Sequence, residues 1–234
     1  MSVSRTLRVL VPAPVMLVAA MQPALSAQAR ELDRGVLILM QGSEVVGREE
    51  FVLRRGRGSA PLTGFTIVST AWFPAERPLR SLDAVIELGP DSATVATRIE
   101  AGNGEPRRVL IGIGPRRLTV RSETSSGESA REYPARGPHV VVDDSLYAPH
   151  ALPPSSAFEI IDVVTLDGRR SPEARLVDHG IEFADVGGSR QSLHHWSIEG
   201  GQHVRHLWYD EAGRLMKVED PGRGTTAVRA IEGR

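Results

Sequence analysis

Turn chemistry recurs along this chain at the spacing of short strands. Gly42-Ser43, Gly89-Pro90-Asp91, Gly102-Asn103-Gly104, Gly114-Pro115, Asp167-Gly168 and Gly187-Gly188 join residues that tolerate left-handed or fixed backbone angles. Between them apolar side chains alternate with period two, and no long 3.6-period stripe appears. "GVLILMQGSEVVGREEFVLRR" (35–55) sets the pattern. Val36 to Gln41 reads as one strand, Gly42-Ser43 as a two-residue turn and Glu44 to Arg54 as the return. In the return, Val45, Gly47, Glu49, Phe51 and Leu53 form the more apolar side and face the core. Similar segments occupy 64–73, 78–88, 92–101, 107–114, 116–124, 157–166, 173–186, 189–198, 202–210, 214–220 and 225–232. About a dozen short strands at this spacing define an all-β protein, an antiparallel sandwich or barrel. A βαβ fold is disfavoured.

One segment breaks the rhythm, "VVVDDSLYAPHALPPSSAFE" (140–159). Asp144 or Ser145 offers a cap for a short helical turn through Tyr147. Pro149, Pro153 and Pro154 forbid a long helix and remove ladder donors. This reads as a short helical crossover between two halves of one sheet system, about 30–142 and 155–234.

The N-terminus reads as an address. Arg5 and Arg8 precede the apolar run Val9 to Met21, and Ala27-Gln28-Ala29 gives the small-x-small pattern of a cleavage site. Residues 1–29 are expected to be a signal peptide cut after Ala29, leaving residues 30–234 as a single antiparallel β domain. The run is too short to span a bilayer well, and retention as an anchor is the alternative. Without Arg5 and Arg8, 26 of the 28 basic residues remain against 29 acidic ones. That balance calls for neither nucleic acid nor an anionic membrane. There is no cysteine, so the core stands on packing alone. Lys217 is the only lysine, the codon bias of a GC-rich bacterial genome. Together these predict a periplasmic or secreted bacterial protein.

"HHWSIEGGQHVRHLWYDEAGRL" (194–215) collects four of the seven histidines. With Gly200-Gly201 as the turn, His195 opposes His206, Trp196 opposes Arg205, and His194 and His203 lie on the other face. His195 and His206 are thus the candidate metal ligands, one pair where zinc wants three or four. A half-buried hairpin face with Trp196 over Arg205 as a cation–π pair is the alternative. "IGIGPRR" (111–117) lacks the third glycine of a phosphate loop, and "RRGRG" (54–58) ends a strand in a glycine-rich linker. Ser145 beside Asp143, Asp144 and His150 invites a hydrolytic reading but has no nucleophile elbow.

"WYDEAGRL" (208–215) resembles the unit of YD-repeat shell proteins, but it occurs once, so it is read as shared turn physics. Three features together resemble a loose group of exported bacterial all-β proteins. They are Val46-Gly47-Arg48-Glu49 before Phe51, the "VVVDDSLYAPHAL" segment (140–152), and the terminal Trp-Tyr-Asp hairpin with its last strand. The likeness spans most of residues 36–220. It implies a long curved sheet of half-barrel type, as in lipoprotein-carrier proteins, and places Asp144, Tyr147 and His150 at a cavity mouth as ligand-binding candidates. Ala148-Pro149 departs from the pattern, being stiffer than a mobile lid favours.

Three functions remain. The first is a non-enzymatic module binding a lipid-like or apolar ligand, or an envelope protein, without a cofactor. The second is a hydrolytic or metal-dependent enzyme using His150 with Asp144, or His195 with His206. The third is a structural envelope protein without a ligand site.

Overall fold

The computed structural model describes residues 29–231, apart from 57, 61, 103–106, 144, 166–168 and 201–202; of His203 only the backbone is described. The expected leader, Asp144, and parts of the Asn103-Gly104, Asp167-Gly168 and Gly201 turns therefore lie outside the described residues.

The opening hairpin forms as its alternation requires. β1 (Arg30–Gln41) and β2 (Glu44–Arg55) pair antiparallel, with Gln41 opposite Glu44 and Gly42 at φ +60° in the turn. Phe51 and Leu53 are buried, and Glu49 lies on the same inward side, fully buried. A meander continues through β3 (Phe65–Phe73), β4 (Arg80–Leu88), β5 (Thr94–Gly102), β6 (Arg107–Ile113), β7 (Arg117–Thr124) and β8 (Gly127–Pro134). Next come β9 (His139–Val142), the crossover, and then β10 (Ile160–Thr165), β11 (Arg170–Val186) and β12 (Ser189–Gly200). β13 (His203–Tyr209), β14 (Leu215–Asp220) and β15 (Thr225–Arg229) complete the chain.

The fifteen strands of the described residues belong to one sheet, in the order β8-β7-β6-β5-β4-β3-β2-β1-β15-β14-β13-β12-β11-β10-β9. The count exceeds the expected dozen because β8 and β9 carry no readable alternation. β8 is solvated on nearly its whole length, and β9 spans only four residues. The architecture is one sheet, not a two-sheet sandwich. It is antiparallel except at one place, where β9 and β10 run parallel. Parallel neighbours need a crossover, and residues 143–159 supply it without an α-helix. Among its described residues the one helical element is a 3-10 turn, Ala148–His150, with Tyr147 in the capping position and no side-chain cap. That corrects the expected capping position; Pro149 is tolerated in the first turn, and Pro153 and Pro154 just past Ala151 explain why the helix goes no further.

The sheet is strongly curved. β5 and β9 are eleven strand steps apart, about 50 Å along a flat sheet. Yet Val141 N donates to Thr94 Oγ1 at 3.3 Å. The β9 margin thus curls round to meet the face of β5 and leaves a seam, not a closed barrel. Inside the curve, Leu146, Tyr147, Ala148 and Ala151 of the crossover are buried against Leu37, Phe51, Ile67, Ile86, Leu207 and Tyr209. The crossover is a plug. Burying its large side chains contributes roughly 1.5–3 kcal/mol each.

First and last strands join the two wings, since β1 pairs with β15. Arg229 locks that junction. Its two terminal nitrogens donate to Asp33 at 2.9 and 2.7 Å, and its guanidinium lies over the Phe51 ring. Elsewhere the sequence signals hold. Gly187 and Gly188 turn at φ +57° and +78°, and Asp210 Oδ1 accepts from Ala212 N and Arg214 N while Gly213 sits at φ +74°. The "RRGRG" cluster leads into a loop tied down by the Glu87 carboxylate, which accepts from Ser59 N at 2.9 Å and Ala60 N at 2.8 Å.

Replacing Arg229 by Met leaves Asp33 buried without its cation. The expected loss is roughly 1–3 kcal/mol of unfolding free energy, measured by urea titration; an unchanged midpoint would show that the junction does not depend on this pair.

Candidate functional site

The crossover is held from two sides by charged groups that the sheet supplies. Alternation in β2 puts Glu49 on the apolar side, and in β13 it puts Arg205 there with Leu207 and Tyr209. Both are buried, 0% and 3% exposed. The Glu49 carboxylate accepts from Tyr147 N at 2.7 Å and Ala148 N at 3.2 Å. Arg205 donates to Asp143 O at 3.1 Å and to His150 Nε2 at 3.3 Å, stands 3.7 Å from Asp220 Oδ2, and lies over the Tyr147 ring. Tyr209 O–H donates to His150 O at 2.8 Å.

This network fixes protonation states. Arginine has no acceptor, so His150 Nε2 carries a lone pair and its ring is neutral. Burial pushes His150 well below its ordinary pKa, and Arg205 adds to that. Burial pushes the Glu49 carboxyl up to about 7, against the Tyr147 amide, the Ser69 hydroxyl and the Ala148 amide, which favour the anion.

Tyr147 and His150 are therefore largely buried, 2% and 4% exposed, and His150 lines a small recess with Val140, Leu152 and Ile198; Asp144 lies outside the described residues. Ser145 Oγ accepts from Arg80 at 3.1 Å, while His150 Nε2 is spent on Arg205. Sequence reasoning placed Glu49 on the core side but missed its role. The signal was there: a carboxylate in the apolar set of an alternating strand.

The histidine hairpin forms with a register shifted by two residues. Trp196 opposes Leu207, His195 opposes Trp208 and Ser197 opposes His206, so Gly200 belongs to the strand opposite His203. A two-residue slip keeps every side chain on its face. His195 and His206 still meet, at 2.9 Å between Nε2 and Nδ1. The expected Trp196–Arg205 pair is replaced: Trp196 stacks with His194, and Arg205 turns to Tyr147. On the outer face, His195 is stacked between Trp208 (4.6 Å) and His179 (4.3 Å). Glu182 Oε1 accepts from Trp208 Nε1 at 2.7 Å and lies 3.1 Å from His195 Nδ1. Trp208 also packs with Ala184, Val186, Leu193 and Met216 in a second small cluster. Burial lowers the His195 pKa, with Glu182 opposing. One ring of the His195–His206 contact must donate and the other accept. Among the described residues no three His, Cys, Asp or Glu side chains are grouped to hold a metal ion.

The plug leaves space at the seam. A cleft of about 210 Å³ opens between β4–β6 and the β9–β10 margin. Leu82, Ile99, Ala101, Val109 and Val142 give it an apolar lining, and Asp143 and Ser145 stand beside them where the crossover leaves β9.

The fold and this geometry define the class of molecule: an unclosed, plugged β-wrap with a cleft along its seam. No protein-family model and no curated protein matches the chain. Among the described residues no helix is long and apolar enough to cross a membrane.

Glu49 sets a sign for pH dependence. Its folded pKa is raised, so the folded state keeps a proton that the unfolded chain releases. Stability is full below the ordinary value of 4.5 and falls as pH rises to about 7, by up to about 1.4 kcal/mol per unit. Asp143, also raised by burial, adds to the same trend. The slope of unfolding free energy between pH 5 and 7 should be shallower in Glu49→Gln than in the native chain, by urea titration at each pH. Equal slopes would remove Glu49 as its source.

Proposed function

We propose that this chain is a non-enzymatic binding module, periplasmic or secreted, which takes a lipid-like ligand at its seam. The observation that carries the reading is the cleft between β4–β6 and the β9–β10 margin, with an apolar floor of Leu82, Ile99, Ala101, Val109 and Val142 under a polar rim. Ligand sites are concave, combining apolar surface with a few polar groups, and this cleft lies where the wrap fails to close. The interior itself is occupied by Leu146, Tyr147, Ala148 and Ala151, which directs a ligand to the seam and not to the centre of the curve. At about 210 Å³ the cleft suits a single short acyl chain or a small ring system, below the roughly 300–1,000 Å³ of sites for larger molecules. The side chains that a hydrolase would need are committed elsewhere, His150 to Arg205 and Ser145 to Arg80, which favours binding over catalysis.

The neutral fluorescent probe N-phenyl-1-naphthylamine tests it. The native chain should bind it saturably. Ala101→Trp, which fills the cleft from half-buried β5, should weaken binding at least tenfold with an unchanged melting temperature. Equal binding by the two proteins would place the probe elsewhere and overturn the reading.

A further inference from the structure

We infer that the free side of β11 docks an extended segment of a partner polypeptide as an added strand, one in which apolar residues alternate with Lys or Arg. The site is separate from the seam cleft and lies in a different part of the sheet.

β10 pairs with β11 only from Arg170 to Arg175, and one further bond runs from Leu176 N to Glu159 O at 2.9 Å. β11 then continues to Val186 on its pairing with β12 alone. Among the described residues, no strand lies along the other side of Val177–Val186. Alternate N–H and C=O groups of that stretch therefore point away from β12, where an incoming strand meets them. A bulge at His179, with Gly180 at φ +76°, interrupts the ladder near β10. From Gly180 to Val186 every residue pairs with β12 in step, which keeps this edge regular.

The outermost strands of the sheet are guarded against such pairing. β8 is solvated and carries Glu128, Arg131, Glu132 and Pro134, and β9 is four residues long after Pro138. Charge, proline and shortness are the usual protections of an edge. By contrast, "VDHGIEFADV" (177–186) has no proline, lysine or arginine. It presents Ile181 and Phe183, 76% and 67% exposed, on one face of the strand. Ile181 also lines a groove of about 250 Å³ with Pro153, His194, Trp196, Tyr209 and Glu211. An edge that offers main-chain partners beside an apolar groove is the arrangement that binds extended peptides by strand addition.

Charge selects the occupant. The stretch holds three carboxylates, Asp178, Glu182 and Asp185, and no Lys or Arg. Asp178 meets His194 at 2.6 Å, Glu182 accepts from Trp208 at 2.7 Å, and Asp185 is exposed. Arg190, across from Asp185 on β12, is turned over the Phe183 ring at 5.5 Å. A second copy paired through the same edge would bring carboxylates against carboxylates, and like charges on neighbouring strands destabilise the pair. Cations on the incoming strand stabilise it. The stems of Lys and Arg also cover apolar surface, which suits a basic side chain laid beside Ile181.

Titration calorimetry of the full chain with the peptide acetyl-KVKIKVK-amide tests this, beside two controls of equal length. One control is methylated on every main-chain nitrogen, and the other is acetyl-EVEIEVE-amide. The native chain should bind the lysine peptide saturably and each control about tenfold more weakly or worse. Phe183→Lys, a change at an exposed side chain, should weaken the lysine peptide about tenfold with an unchanged melting temperature. No binding of the lysine peptide overturns the inference. Equal binding of the methylated control would show that main-chain pairing is not used, and equal binding of the glutamate control would remove the charge selection; either overturns it. Undiminished binding by Phe183→Lys would move the peptide away from β11. A native chain that sediments as a dimer, and becomes a monomer in Phe183→Lys, would give the edge to a second copy and overturn the inference as well.

Discussion

The Glu49 carboxylate is the contact on which the architecture turns. It sits in an apolar strand face and accepts the main-chain N–H groups of Tyr147 and Ala148. Irregular backbone inside a curved sheet carries polar groups that must find partners. Glu49 from one wing and Arg205 from the other supply them. A plug satisfied in this way can stay inside, and a fifteen-stranded sheet can curl round it without closing into a barrel. The cost is a carboxyl so buried that its pKa is pushed up to about 7. Burial of a charge is tolerated only with such partners.

The plug also explains the seam. Because β9 and β10 are parallel, the chain must leave the sheet between them, and it leaves through the interior. The β9 margin then ends against β5 through Thr94, with no further strand to pair. Space remains between margin and wall, lined by residues from both wings. The failure of the wrap to close and the existence of a cleft are thus one property of the same connection.

Much of the fold was legible. Period-two alternation located β2 to β7 and β10 to β15 within a few residues and the end of β1, which starts six residues before the expected Val36, and Gly42, Gly187-Gly188 and Gly213 marked their turns. β8 was hidden because an edge strand solvated on both faces shows no alternation. The register of the histidine hairpin came out two residues off, since Gly200 reads as a turn residue and is a strand residue. Period two protected the faces from that slip, which is why His195 and His206 still meet. The candidate site was legible only in part. Tyr147 and His150 stood out in the sequence, but their burial depends on Glu49 and Arg205, 98 residues before Tyr147 and 55 after His150. The seam cleft was not legible at all. It arises from the meeting of β9 with β5, a consequence of curvature summed over eleven strand steps that no local pattern encodes.

The outer cluster of His179, Glu182, His195, His206 and Trp208 covers the convex side of the same strands that carry Arg205 and Tyr209 inward. Each strand of that hairpin therefore serves two packed faces, the plug on one and the stacked rings on the other.

Amide hydrogen exchange at Tyr147 and Ala148 tests the central claim most directly. A plug held by Glu49 predicts protection of both amides close to that of the buried strands β2 and β13. Exchange as fast as at the solvated edge strand β8 would mean that the crossover opens freely, and that the sheet does not depend on it.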